Sequence, residues 1–139
     1  MIESKYMNPW VKYLVTTEYA SQDRNGNFTF GGVFTNVGIG PDKSFSLSFS
    51  IAGRIENVED AIHSLKIVVL RPDDTELTQV VAEKKQISGG AINFSFRFNL
   101  IEFTQIGMHK IKVYLDGREL INPQGEWVIE VTKNVPSIF

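Results

Sequence analysis

Two stretches of the chain alternate apolar and polar residues without interruption, and they limit the fold more than any other feature. They are Phe45-Ser-Leu-Ser-Phe-Ser-Ile51 and Ile92-Asn-Phe-Ser-Phe-Arg-Phe98. A period of two is typical of half-buried β-strands, because successive side chains of a strand point to opposite faces. When Leu100 is counted with the second stretch, five aromatic and four aliphatic side chains point to one side. We therefore predict two strands whose apolar faces cover each other or a second sheet.

The rest of the chain contains further short runs of β-branched and aromatic residues, separated by turn residues. Together with the two stretches above, they predict an all-β fold of about eight antiparallel strands. The further strands are Val11–Tyr19, a strand that starts at Phe28 and ends at Gly38, Gly40 and Pro41, Leu65–Leu70, Glu76–Ala82, His109–Leu115 and Glu126–Val131. Turn residues at Asp23–Asn27 and Arg71–Thr75 predict two hairpins. This spacing favours a two-sheet sandwich with Greek-key connections.

Two local features need separate interpretation. Gly31 and Gly32 lie within the second strand, where paired glycines indicate a bulge or a close approach of another group. Asn57–Ile62 has helical character, and its length predicts a single helical turn at a corner of the sheet.

Length and composition indicate one domain spanning residues 1–139, with flexible ends at 1–9 and 134–139. There is no cysteine, which excludes disulfides and thiolate ligands and favours the cytoplasm. The 14 basic and 16 acidic residues lack the cationic excess that drives binding to nucleic acid. No apolar segment is long enough for a signal peptide or a membrane span, so neither a membrane nor a nucleic acid is an expected partner.

Several segments resemble a group of small bacterial proteins of uncharacterised function with an immunoglobulin-like β-sandwich. The resemblance is carried by Tyr13–Ala20, Gly26–Phe34, Leu70–Leu77 and Gly107–Gly117. It covers most of the chain. It implies the immunoglobulin-like fold, and it implies no activity because these segments are strand and turn motifs.

No residues form a convincing catalytic, cofactor or metal site in the sequence. The only histidines, His63 and His109, are too few for a three-histidine metal site and lie in separate segments. Asp73-Asp74 sits in a proline-containing turn and is expected to shape that loop rather than bind a cation. We therefore expect no enzyme activity and no cofactor. The alternative of a small hydrolase would require a deep pocket that brings His63 or His109 together with carboxylates.

The predicted outer faces of the two sheets differ in chemistry. The serine-rich face beside Phe45–Ile51 lacks anchoring side chains and is expected to be inert. The strand near the C-terminus points Met108, Lys110, Lys112 and Tyr114 outward beside Val128, Glu130 and Thr132. We predict that these four residues bind a protein partner, so that the chain is a non-catalytic binding or structural module. Two alternatives stay open: an outer face with lysines extended over apolar surface, and a self-assembling subunit of a phage or bacterial particle.

Overall fold

Ten β-strands form the part of the chain that the structure, a computed structural model, describes. This part comprises residues 8–25, 27–39, 44–123 and 125–133. The strands are β1 (Trp10–Gln22), β2 (Phe28–Phe34), β3 (Asn36–Gly38), β4 (Phe45–Glu56), β5 (Ala61–Leu70), β6 (Glu76–Ile87), β7 (Ala91–Phe103), β8 (Gly107–Leu115), β9 (Arg118–Glu119) and β10 (Trp127–Thr132). No helix here is long and apolar enough to cross a bilayer. The predicted flexible ends (except residues 8 and 9) and the predicted turn residues Gly26, Gly40 and Pro41 lie outside the described residues.

The strands form two sheets that pack face to face. The first sheet has the order β2-β1-β4-β7, and the second has the order β3-β10-β8-β5-β6 with β9 paired to β8. All pairs are antiparallel except β3 with β10, which run parallel. The pair β4–β7 and the series β5–β8–β10 occupy the positions of strands B–E and C–F–G of an immunoglobulin sandwich. The predicted immunoglobulin-like two-sheet fold is therefore confirmed.

The two alternating stretches lie side by side as β4 and β7. Phe49 is opposite Phe98 and is fully buried, with the two rings stacked at 5.3 Å between centroids. Their apolar faces cover the second sheet, where Ile67 and Val113 belong to the same buried cluster. The sequence pattern therefore identified the side of each strand that forms the core, and of the two arrangements that it left open the structure shows the one in which both strands cover a second sheet.

Both predicted hairpins are present, as β1–β2 and β5–β6. The glycines of β2 allow the close approach that the sequence indicated, because the Tyr19 ring lies directly over Gly31. A Cβ atom at Gly31 would lie 1.8 Å from Cε1 of Tyr19. Gly32 has a φ of 69°, a backbone conformation that other residues rarely adopt.

Two predicted elements are wrong. The second strand does not continue to Gly38: it ends at Phe34, and the chain crosses at Thr35 to the other sheet as β3. A hydrogen bond from the Glu130 N–H to the Thr35 carbonyl holds the chain at this crossing. The helical turn at Asn57–Ile62 is also absent, since Asn57 has a φ of 66° and Ala61 already begins β5. One isolated helical turn gains too few hydrogen bonds to offset its conformational entropy.

Leu100 does not belong to the apolar side of β7. Leu47 is opposite Ile101 and Phe49 is opposite Phe98, so β7 places two residues, Asn99 and Leu100, against one residue of β4. This β-bulge interrupts the alternation. Leu100 has a φ of 51° and is 74% exposed. Its assignment to the core is therefore wrong.

The serine-rich outer face of the first sheet is also less uniform than predicted. Ser50 is buried, and a guanidinium nitrogen of Arg97 lies 3.4 Å from its hydroxyl. The same nitrogen donates to the backbone carbonyl of Glu18 on β1. Arg97 therefore reaches across β4 and ties β7 to β1, so part of this face is covered by a cationic side chain.

Candidate functional site

Strand β8 lies in the middle of the second sheet and alternates regularly between the core and the outer face. Its inward side chains are buried: His109, Ile111, Val113 and Leu115. The intervening side chains point outward: Met108, Lys110, Lys112 and Tyr114. The predicted phase of this strand is therefore correct, whereas binding by these four residues stays a prediction.

Strands β10 and β5 flank β8 and complete this outer surface, which we call the β8 face. On β10, Val128 is opposite Lys110, as the sequence indicated, and Glu130 is opposite Met108. Thr132 lies beyond the end of that pairing, beside β3. On β5, Lys66 is opposite Tyr114. The β8 face thus contains Lys66, Met108, Lys110, Lys112, Tyr114, Val128 and Glu130.

Each lysine of β8 and its neighbour Lys66 is held by a specific partner. The ammonium of Lys66 lies 4.8 Å from the centroid of the Tyr114 ring, within the range of a cation–π contact. Lys110 is 3.0 Å from a carboxylate oxygen of Asp74. Lys112 lies between the carboxylates of Glu119 and Glu126. The β8 face therefore presents cationic side chains in fixed positions, with much of their charge offset.

A groove lies beside Lys112, between the part of β8 that pairs with β10 and the part that pairs with β9. Lys112 Nζ is 3.2 Å from Glu119 and 3.4 Å from Glu126, so it joins β9 to the segment before β10. The groove has a volume of about 460 Å³, and its lining includes Leu120, Ile121 and Trp127. Burial lowers the pKa of Lys112, but its bonds to the two carboxylates outweigh burial and raise it. Lys112 is therefore charged in this position.

His63 is held in an ion pair with Asp116. Its Nδ1 lies 2.6 Å from an Asp116 carboxylate oxygen, and its Nε2 lies 2.8 Å from the Glu59 carbonyl. A carboxylate and a carbonyl both accept hydrogen bonds, so this arrangement favours the doubly protonated ring. Burial lowers the pKa of His63, but these two contacts outweigh burial and raise it. Both ring nitrogens of His63 therefore have hydrogen-bond partners within the fold.

His109 lies in the core, away from the groove. Its ring meets the Phe103 ring edge-on at 5.2 Å, and its Nδ1 is 3.2 Å from the Gly107 carbonyl. Burial lowers the pKa of His109, and within the described ranges no group lies at hydrogen-bond distance and geometry from its buried Nε2. Neither histidine lines the groove. The pocket that the hydrolase alternative requires is therefore not formed there.

The two aspartates of the β5–β6 turn have different partners, and the contact of Asp74 with β8 was not predicted from the sequence. Asp73 accepts hydrogen bonds from the hydroxyl and N–H of Thr75, and these bonds lower the pKa of its carboxyl group. Asp74 pairs with Lys110. Within the described ranges, no group of three or more histidine, aspartate or glutamate side chains could hold a metal ion.

Sequence reasoning missed three residues that shape the β8 face: Glu119, Glu126 and Lys66. One signal was available. The Asp116-Gly117 turn folds the chain back onto β8, which places Glu119 opposite Tyr114 in β9. The approach of Glu126 depends on the path of the following segment, and no local pattern indicates it.

Comparison with known proteins gives a family but no activity. No curated protein matches the chain. Among solved structures, the chain is similar to an immunoglobulin-like protein from Pseudomonas aeruginosa, with 12% sequence identity, a TM-score of 0.45, and coverage of 92% of this chain and 99% of that one. Residues 12–124 match a family of unknown function, DUF6941. Since this match spans most of the sequence, the chain belongs to the DUF6941 family.

Proposed function

We propose that this protein is a non-catalytic binding or structural module that holds a protein partner on the β8 face. The observation that carries the proposal is the arrangement of fixed cationic side chains beside exposed apolar ones. Met108 is 48% exposed and Val81, on the neighbouring strand β6, is 46% exposed. Lys110 and Lys112 are anchored by carboxylates at the same surface.

The chemistry of the face favours a protein over a nucleic acid as partner. Protein interfaces combine apolar and aromatic anchors with a polar rim, and a few central side chains contribute most of the binding energy. Tyr114 and Met108, at the two ends of the outward row of β8, are side chains of this kind. A phosphate backbone instead requires unbalanced cationic charge, whereas the carboxylates of Asp74, Glu119 and Glu126 offset the lysines here.

The test is affinity capture with the complete chain as bait, followed by titration of the purified partner. Tyr114→Ala and Lys110→Glu should each weaken binding by about 1 kcal/mol or more, because aromatic and cationic anchors carry interface energy. Ser46→Glu, on the outer side of the other sheet, is the matched control and should bind like the wild type. Unchanged circular dichroism establishes that each variant is folded. The proposal would be refuted by a partner that binds the Tyr114 and Lys110 variants with wild-type affinity but no longer binds the Ser46 variant.

Self-assembly is a second candidate, and the β1–β2 hairpin favours it. β1 pairs with β4 only as far as Thr17, opposite Ser50, whereas its pairing with β2 continues to Gln22. The hairpin displays Tyr19, which is 55% exposed, and a stacked pair of rings at Phe28 and Phe30. Light scattering coupled to size-exclusion chromatography tests this candidate. A concentration-dependent oligomer that Phe28→Ser abolishes would support it, and a monomer throughout would exclude it.

A further inference from the structure

We propose that His63 is a pH-sensitive latch: it holds the corner between β4 and β5 while its ring carries two protons, and it releases the corner when one proton leaves. The corner comprises residues 57–60. This inference does not depend on the proposed function, because neither His63 nor its partners belong to the β8 face.

The ring of His63 joins two loops at one end of the sandwich. The Asp116 carboxylate approaches Nδ1 from the turn between β8 and β9, at 2.6 Å. The Glu59 carbonyl approaches Nε2 from the corner, at 2.8 Å. The side chain of His63 is only 10% exposed. Each ring nitrogen therefore depends mainly on its partner in the fold rather than on water.

The number of protons on the ring decides how many of these contacts are hydrogen bonds. Both partner oxygens accept, so each contact requires an N–H group on the ring. The doubly protonated ring supplies two N–H groups and satisfies both partners. A neutral ring supplies one N–H group, and its other nitrogen turns a lone pair toward an oxygen. One of the two loops therefore loses its hydrogen bond to His63 when the ring loses a proton.

The corner is the loop that is released. A lone pair on Nδ1 would face the negative charge of Asp116, whereas a lone pair on Nε2 faces only the uncharged Glu59 carbonyl. Hydrogen bonds to charged groups are also about twice as strong as those between neutral groups. The Ser64 N–H holds the other oxygen of Asp116 at 2.9 Å, which keeps this carboxylate in place. The neutral ring therefore keeps its proton on Nδ1.

The other hydrogen bonds of the corner lead to the turn before β7. The Val58 N–H donates to the Gly90 carbonyl, and a carboxylate oxygen of Asp60 accepts from the Gly89 N–H. Asn57 has a φ of 66°, a backbone conformation that is unfavourable for most residues. Without the imidazole contact, the corner is attached on one side only. Its local opening therefore becomes more frequent.

The latch opens as the pH rises. Burial lowers the pKa of His63, but its contacts with Asp116 and Glu59 outweigh burial and raise it. The carboxylates of the same two residues act on the ring, and Lys85 lies opposite it on β6. Because the folded-state pKa is raised, the latch is closed below about pH 6.5 and opens as the pH passes the folded-state value.

NMR of the ¹⁵N-labelled chain tests the inference at the ring and at the corner. Above the titration of His63 we expect a neutral ring with its proton on Nδ1, which the ¹⁵N shifts of the ring distinguish from a proton on Nε2. The hydrogen-exchange protection factor of the Val58 N–H should fall about two- to tenfold over the same pH range, as expected for the loss of one hydrogen bond. His109 is the internal control, because its pKa is lowered by burial and its ring is already neutral above about pH 6.5.

Asp116→Asn is the decisive variant, because asparagine has the shape of aspartate and tolerates the φ of 51° at this position. Its amide can donate to Nδ1, so the neutral ring should carry its proton on Nε2 and keep its bond to the corner. The protection of Val58 should then not fall as the pH rises. Glu59→Gln is the control: the backbone carbonyl stays, so the latch should still open, but at a lower pH because a negative charge near the ring is lost.

Three results would overturn the inference. The first is a wild-type ring that carries its proton on Nε2 above the titration of His63. The second is a wild-type protection factor of Val58 that does not change with pH. The third is a fall in this protection factor that is equally large in Asp116→Asn.

Discussion

The bulge at Leu100 leads to a stability prediction opposite to the one that the sequence alternation implies. If Leu100 lay on the core side of β7, its truncation to alanine would lower the free energy of unfolding by about 2–5 kcal/mol. The structure instead places Leu100 at a φ of 51° with 74% of the residue exposed. Its replacement by asparagine distinguishes the two descriptions, because asparagine accepts the left-handed backbone region more readily than leucine does.

The expected magnitude follows from two opposing contributions. The left-handed region costs an ordinary L-residue about 1–2 kcal/mol, and asparagine recovers part of this. Complete burial of a leucine side chain contributes about 1.5–3 kcal/mol, so the quarter of Leu100 that is covered contributes roughly 0.5 kcal/mol. The difference favours the variant. We expect Leu100→Asn to raise the free energy of unfolding by about 0.5–1 kcal/mol.

Equilibrium unfolding in urea, followed by tryptophan fluorescence, measures the difference. The midpoint should rise while the slope stays constant, since the surface exposed on unfolding does not change. Phe98→Ala is the control for a buried residue of the same strand and should lose about 3–5 kcal/mol. A loss of about 2 kcal/mol or more for Leu100→Asn would show that Leu100 is buried, and would refute the bulge.

Three further predictions concern stability. Phe94→Ala should lower the free energy of unfolding by about 3–5 kcal/mol, because Phe94 is buried. The half-buried Phe96→Ala should cost clearly less, and the exposed Ser95→Ala at most about 0.5 kcal/mol. Equal losses for the three variants in urea unfolding would contradict the predicted strand phase. The pKa of His63 is raised, so its ion pair stabilises the fold fully below about pH 6.5 and less as the pH rises through the folded-state pKa; His63→Asn should therefore lose more stability near pH 5.5 than near pH 9. The pKa of His109 is lowered, so the free energy of unfolding of the wild type falls as the pH drops below about 6.5. His109→Leu should lack that fall when urea unfolding is measured at a series of pH values. The same dependence of stability on pH in the variant would argue against burial of a neutral ring.

The sequence was most informative where one face of a strand is buried. Phe45–Ile51 and Ile92–Phe98 alternate because the core requires apolar residues at every second position, and the side of each strand that is buried followed from that. The errors occurred where the backbone departs from regular geometry. The bulge at Leu100 adds a residue to one strand only, and the crossing at Thr35 moves the chain between sheets. Such changes depend on contacts with distant strands, which a local pattern does not contain.

The same distinction applies to the candidate site. The alternation of β8 was sufficient to place Lys112 and Tyr114 on the outer face, but the partners of these residues come from other segments. Lys66 reaches the Tyr114 ring only because β5 and β8 pair in one particular register. Glu119 and Glu126 approach Lys112 from both ends of the segment between β9 and β10. The outward residues of β8 alone would make this face cationic. The carboxylates of Asp74, Glu119 and Glu126 balance most of that charge. Around Lys112, two carboxylates and one ammonium give a net negative charge. The sign of the charge that a partner meets is therefore set by the tertiary fold, although the strand itself carries lysines.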